Sequence, residues 1–161
     1  MTRFLALVLV VAATGLTYAA PPAKRPAPDF TLPATSGDLS LHDLRGKVVY
    51  VDFWASWCAP CRESFPWMSG ISEKYRDQGL VVVAINLDKN KAAADEFIRQ
   101  FGGRFPVAFD PAGKSAEAFG VQAMPSSFIV NRFGVITYTH EGFQPRNADE
   151  VEAHITEALA R

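Results

Sequence analysis

Val48-Val49-Tyr50-Val51-Asp52-Phe53-Trp54-Ala55-Ser56-Trp57-Cys58-Ala59-Pro60-Cys61 joins an apolar run directly to a pair of cysteines. The run is rich in β-branched and aromatic residues and follows Gly46, which predicts a buried strand over residues 47–55. Pro60 has no amide proton to lose and its fixed φ suits the first turn of a helix, so the cysteines open a helix. Cys58 then sits at the positive end of the helix dipole, where thiolate is favoured. These are the only two cysteines in 161 residues, and two sulfurs three positions apart can share one disulfide. So short a loop stabilises little chain, which favours an active redox couple over a structural bridge. The pattern points to thiol–disulfide exchange.

Working outward, Phe65, Met68, Ile71 and Tyr75 recur at spacings of three and four, predicting a helix from Pro60 to about Tyr75 or Gln78 that Gly79 stops. Pro66 inside it marks a kink. Residues 80–87 are almost continuously apolar, as in a strand covered on both faces, so strand, helix and strand make a βαβ unit with a parallel pair. A helix over 91–101, a strand over 106–109 and a short helix over 115–119 follow. Residues 127–130 and 135–139 flank the turn Asn131-Arg132-Phe133-Gly134 as an antiparallel hairpin. A last helix over 148–160 carries Val151, Ile155 and Leu159 on one face. Upstream, residues 29–32 and 39–41 flank the polar turn 35–38 as an N-terminal hairpin.

The first twenty residues differ from the rest. Arg3, an uncharged stretch to Leu16 and the small residues around Ala19-Ala20 read as an export signal over 1–20. The alternative is an uncleaved membrane anchor, although the stretch is shorter than the roughly 20 apolar residues that a spanning helix needs. Residues 21–28 hold four prolines and read as an extended spacer, leaving one domain over 29–161. A hydrophobic fraction of 48% fits a domain with a sizeable core, and 16 basic against 17 acidic residues give no reason to expect nucleic acid as a partner. An exported chain of this kind works in an oxidising compartment, the bacterial periplasm being the expectation.

The order βαβ, helix, ββα with Cys-x-x-Cys after the first core strand resembles the thioredoxin fold, an α/β architecture with a mixed central sheet flanked by helices. The exported TlpA/ResA-like branch is the most similar. The residues that carry this are 27–32 (Ala-Pro-Asp-Phe-Thr-Leu), 44–49 (Leu-Arg-Gly-Lys-Val-Val), 53–62 (Phe-Trp-Ala-Ser-Trp-Cys-Ala-Pro-Cys-Arg) and Met124-Pro125 ahead of a strand. The resemblance covers nearly the whole chain after the leader. It implies a cis Pro125 lying against the cysteines, with backbone groups at Met124-Pro125 offered to an extended client peptide. It also implies that Asp52, a carboxylate in an otherwise apolar strand, is the buried proton acceptor for the second cysteine. Alternation alone puts Asp52 on one side of the sheet with Tyr50 and leaves open whether that side is solvent. ResA-like reductases commonly carry a glutamate three residues after the second cysteine; here that position is Ser64, with Glu63 beside it. The acid function has thus moved to the thioredoxin-like place.

Cys58 is expected to be the attacking thiol with the more exposed sulfur, and Cys61, one turn inside, the resolving one. Trp57 is expected at the surface near the sulfur, Pro60 to shape the redox potential, and Trp54 either in the core or beside the site. Half a zinc site is disfavoured, because His42, His140 and His154 occur singly. A peroxiredoxin is disfavoured by Ala55, since that family has threonine three residues before its reactive cysteine. A non-catalytic copper carrier using Cys58, Cys61 and Met124 is a rival from another class. The reading is therefore a monomeric exported thiol–disulfide oxidoreductase with no cofactor beyond its own disulfide. Its clients would be exported proteins with cysteine pairs, and a membrane thiol donor would recharge it. Ala59 and Pro60 bring no cation to the thiolate and an ionised Asp52 repels it, so a reductase is expected rather than a dithiol oxidase.

Overall fold

The structure, a computed structural model, describes residues 25–161. The expected export signal and the first part of the spacer lie outside the described residues. In chain order the elements are β1 (Arg25–Pro26), β2 (Thr31–Ala34), β3 (Gly37–Ser40), β4 (Val48–Trp54), α1 (Ala59–Tyr75), β5 (Leu80–Asn86), α2 (Lys91–Phe101), β6 (Val107–Phe109), α3 (Lys114–Phe119), β7 (Ser126–Val130), β8 (Val135–Glu141) and α4 (Ala148–Leu159). The strands form one mixed sheet in the order β1-β8-β7-β4-β5-β6-β2-β3. β4, β5 and β6 run parallel, as the βαβ pattern predicts, and β7 lies antiparallel on the other side of β4.

β4 is central, and all seven of its residues are buried because both faces of the sheet are covered. Strand alternation sorts them. Val49, Val51 and Phe53 pack with Val83 and Ile85 of β5, Phe119 of α3 and Phe128 of β7. Val48, Tyr50 and Trp54 pack on the opposite face with Phe65, Met68 and Ile71 of α1, Phe97 of α2 and Ile155 of α4. Asp52 belongs by parity to this second face. That face is roofed by helices and is not solvent, which settles the alternative that alternation left open.

The expected spacer ends sooner than its prolines suggest. Arg25 and Pro26 pair with Ile136 and Val135 of β8, the Ala27 amide donates to the Gly134 carbonyl at 2.9 Å, and Ala27 and Phe30 are buried in the first of these cores. Pro26 is tolerated there because β1 is an edge strand. Residues 25–28 therefore belong to the folded domain, ahead of the start expected at Asp29. The β2–β3 hairpin forms as expected and extends the sheet through Ala34, opposite Ala108 of β6. Among the described residues no helix is long and apolar enough to cross a membrane.

Candidate active site

β4 delivers the chain to the site, and a tight turn hands it to α1. The Cys58 amide donates to the Ala55 carbonyl at 3.0 Å, and Cys58 is the N-cap residue of α1 with extended backbone angles. The turn is tied to the end of β5 by Asp88. That carboxylate accepts from the Ser56 amide at 2.9 Å and the Ser56 hydroxyl at 3.1 Å, and from the Asn86 side-chain amide at 2.8 Å. Asp88 is itself buried, so these bonds hold Ser56, two residues ahead of Cys58, firmly.

Cys58 and Cys61 are joined as a disulfide. Cys58 is 4% exposed and Cys61 fully enclosed, so both lie below the surface and Cys58 is the less covered of the two. Both cysteines belong to the core between α1 and the sheet. Trp57 supplies the exposed surface instead, at 67%. Trp54 goes the other way: its ring lies 4.7 Å from those of both Phe65 and Phe97, so it is core and has no surface role. Pro60 occupies the first turn of α1.

The Met124–Pro125 bond is cis and Pro125 is buried. Met124 packs against the core that contains both cysteines. The Pro125 carbonyl accepts from the Gly142 amide at 2.8 Å, and the Ser126 hydroxyl donates to the Ala123 carbonyl at 2.7 Å, which pins the segment from both sides.

Asp52 is 1% exposed, on the face shared with Cys61. Burial raises its pKa from 3.8 to about 7, partly opposed by a hydrogen bond from Ser127 that favours the charged form. Ser127 Oγ donates to Asp52 Oδ1 at 2.9 Å and accepts from the Tyr50 hydroxyl at 2.7 Å. Asp52 Oδ2 has no partner among the described residues. The acid is therefore half paired, where the sequence reading gave it no partner at all. Ser127 was not singled out in the sequence. The available signal was the pair Ser126-Ser127 opening an otherwise apolar strand, but its meaning depends on the β4–β7 register that places Ser127 opposite Asp52.

Ser64, at the position where the resemblance leads one to expect an acid, is buried and donates to the Cys61 carbonyl at 3.1 Å, while Glu63 is exposed. No carboxylate on α1 approaches the site from that position. Among the described residues no group of three or more His, Cys, Asp or Glu side chains is arranged to hold a metal ion.

Residues 22–155 match the Redoxin family model. The thiol-disulfide oxidoreductase ResA of Bacillus subtilis is 36% identical over 111 residues, spanning 68% of this chain and 62% of that protein. ResA of Geobacillus thermodenitrificans is 31% identical over 162 residues, spanning 95% and 92%. A solved structure from Chlorobium tepidum, named as a thiol:disulfide interchange protein DsbE, superposes with a TM-score of 0.83 at 46% identity, covering 84% of this chain and 96% of that one. With the thioredoxin-like sheet and the Cys58–Cys61 pair opening α1, the chain belongs to the Redoxin family as a thiol–disulfide oxidoreductase of the ResA/DsbE type.

Proposed function

We propose that the protein is a disulfide reductase for exported proteins, working through a mixed disulfide on Cys58 that Cys61 resolves. The observation that carries this is Asp52, a carboxyl sealed on the cysteine face of β4 with its pKa lifted to about 7. In the dithiol state the Cys58 thiolate attacks one sulfur of a client disulfide, and the other client sulfur leaves as thiolate. Cys61 then gives its proton to Asp52 and attacks the Cys58 sulfur, the second client thiolate departs, and the Cys58–Cys61 bond closes. Two electrons pass from the dithiol to the client. A carboxyl titrating near neutral pH can both take and return that proton.

An extended client segment lies on the exposed Trp57 and Pro60 and on the half-buried Met124, with the buried Pro125 shaping the chain behind them. The direction of electron flow follows from the charges. Ala59 and Pro60 add no cation to the dipole of α1, Arg62 lies over the Phe101 ring at 5.9 Å, and an ionised Asp52 opposes thiolate on the cysteines. Poor thiolate stabilisation keeps the disulfide the favoured state, and the dithiol is then a reductant. A membrane thiol donor recharges it, and residues 1–20 direct export, with cleavage near Ala20. No cofactor other than the cysteine pair is needed.

Equilibration with glutathione tests the direction, with an expected potential below roughly −200 mV; a value above about −150 mV makes the protein a dithiol oxidase. Trapping tests the roles of the sulfurs. Cys61→Ser accumulates covalent client adducts and Cys58→Ser accumulates none; adducts on Cys58→Ser overturn the assignment.

A further inference from the structure

Three buried hydroxyl and carboxyl groups, from two strands, stand in series on the face of the sheet that also packs the cysteine pair: Tyr50, Ser127 and Asp52. We infer that Ser127, held in turn by Tyr50, is a positioning residue that occupies Asp52 Oδ1 and leaves Oδ2 as the one oxygen that receives the proton from Cys61. This rests on the reading of Asp52 as proton acceptor.

The direction of the chain is set by chemistry. An ionised carboxylate only accepts, so the single proton of the Ser127 hydroxyl must point at Oδ1. Tyr50 must then donate to Ser127, and it keeps its proton throughout, because burial and the nearby Asp52 charge hold the phenol well above its ordinary range. The Tyr50 ring is fixed edge-on to Trp67, with centroids 5.7 Å apart. All three groups lie on strands inside the sheet, and Ser127 sits directly opposite Asp52 in the β4–β7 register. Ser127 already uses one lone pair of Oδ1 and fixes the orientation of the carboxyl. Oδ2, with no partner and no solvent, is where the acid titrates.

The other titratable side chains on this face are few. Cys61 and Tyr75 come from α1 and Cys58 from its N-cap, the Tyr75 hydroxyl donating to Glu152 of α4. His140, opposite Ser127 on β8, and Tyr138, two residues before it, come from the far side of β7. Tyr138 is stacked on His154 of α4 at 3.8 Å and donates to Glu150 at 3.3 Å, which turns its hydroxyl toward α4. Among the described residues Asp52 takes part in no ion pair, and Ser127 is the one group that stabilises its charged form by a direct contact.

The test follows the resolving step by pH. Pre-formed mixed disulfide on Cys58 with a small aromatic thiol is mixed into buffers between pH 5 and 10, and release of the thiol is timed. The Asp52 carboxyl is also followed by carbon NMR in the reduced protein. In the wild type both report one titration, raised above the ordinary carboxyl range as burial of Asp52 dictates. Ser127→Ala is expected to move that midpoint upward by about one pH unit, the size of a hydrogen bond to a buried charged group, with the rate at high pH retained. Ser127→Thr, which restores a hydroxyl, returns the midpoint to its wild-type position, and Tyr50→Phe shifts it upward by less than Ser127→Ala. An unmoved carboxyl resonance in folded Ser127→Ala overturns the role of Ser127, as does a Ser127→Thr midpoint that follows alanine. A pH profile that Asp52→Asn leaves intact overturns the Asp52 reading itself, a separate failure from the first.

Discussion

A carboxyl that titrates at about 7 in the folded chain and near 3.8 when unfolded ties folding to pH. Between those values the folded protein holds one more proton than the unfolded chain. The contribution of Asp52 to stability therefore stands highest below about pH 4, falls as pH rises toward 7, and levels off above it. The full difference corresponds to roughly 4 kcal/mol, set by the price of burying a charge with only one hydrogen bond. Asp52→Asn keeps an oxygen for Ser127 and removes the charge. Urea unfolding of the oxidised variant is expected to show a gain of about 2–4 kcal/mol over wild type at pH 8 that closes by pH 4. Parallel stability curves for the two proteins would refute an acid that ionises in the folded state. On the proposed mechanism, the carboxyl that weakens the fold near neutral pH is the one that takes the proton of Cys61.

At the scale of elements, α1 must begin at the cysteines and stop before β5. Its start was legible, since Pro60 and the strand before it leave one place for an N-terminus, and the helix begins at Ala59. Its continuation through Pro66 follows from packing: Phe65, Met68 and Ile71 bury on one face and outweigh the lost bond to the Arg62 carbonyl. Its end is made by a 3-10 turn over Arg76–Gln78 and by Gly79 at φ 96°. Arg132, in the β7–β8 turn, then clamps this end. Its guanidinium donates to the carbonyls of Gly46, Gln78 and Leu159 at 2.9–3.2 Å, joining the approach to β4 with the ends of α1 and α4. Arg132→Ala is expected to lower stability by about 1–3 kcal/mol while leaving reactivity at Cys58, on the opposite end of β4, unchanged. Denaturant midpoints together with thiol-exchange rates check both halves. The sequence read Arg132 only as a turn residue, because the three carbonyls it meets come from positions 27 to 86 residues away.

Across the whole molecule the sheet separates two cores, and the one behind the cysteines is dominated by aromatic rings. Phe65 lies 4.7–5.4 Å from the rings of Trp54, Phe97 and Phe105, so one side chain couples β4, α1, α2 and the segment before β6. Phe65→Ala is expected to cost about 3–5 kcal/mol, read as a fall in thermal midpoint; a loss under about 1 kcal/mol would mean that this core is not continuous. What the sequence by itself determined is local. Periodicity and turn residues placed each strand and helix from β2 onward to within a few residues, and the spacing of Cys58 and Cys61 at a strand-to-helix junction announced the chemistry. Such features depend on neighbours within about one helical turn or one turn of chain. Only the tertiary structure decided that Arg25–Pro26 closes the sheet against β8, that the Asp52 face is roofed by α1 and α4, and that Ser127 meets Asp52 across 75 residues. Strand register and layer order are settled by which faces bury together, and no local pattern encodes that outcome.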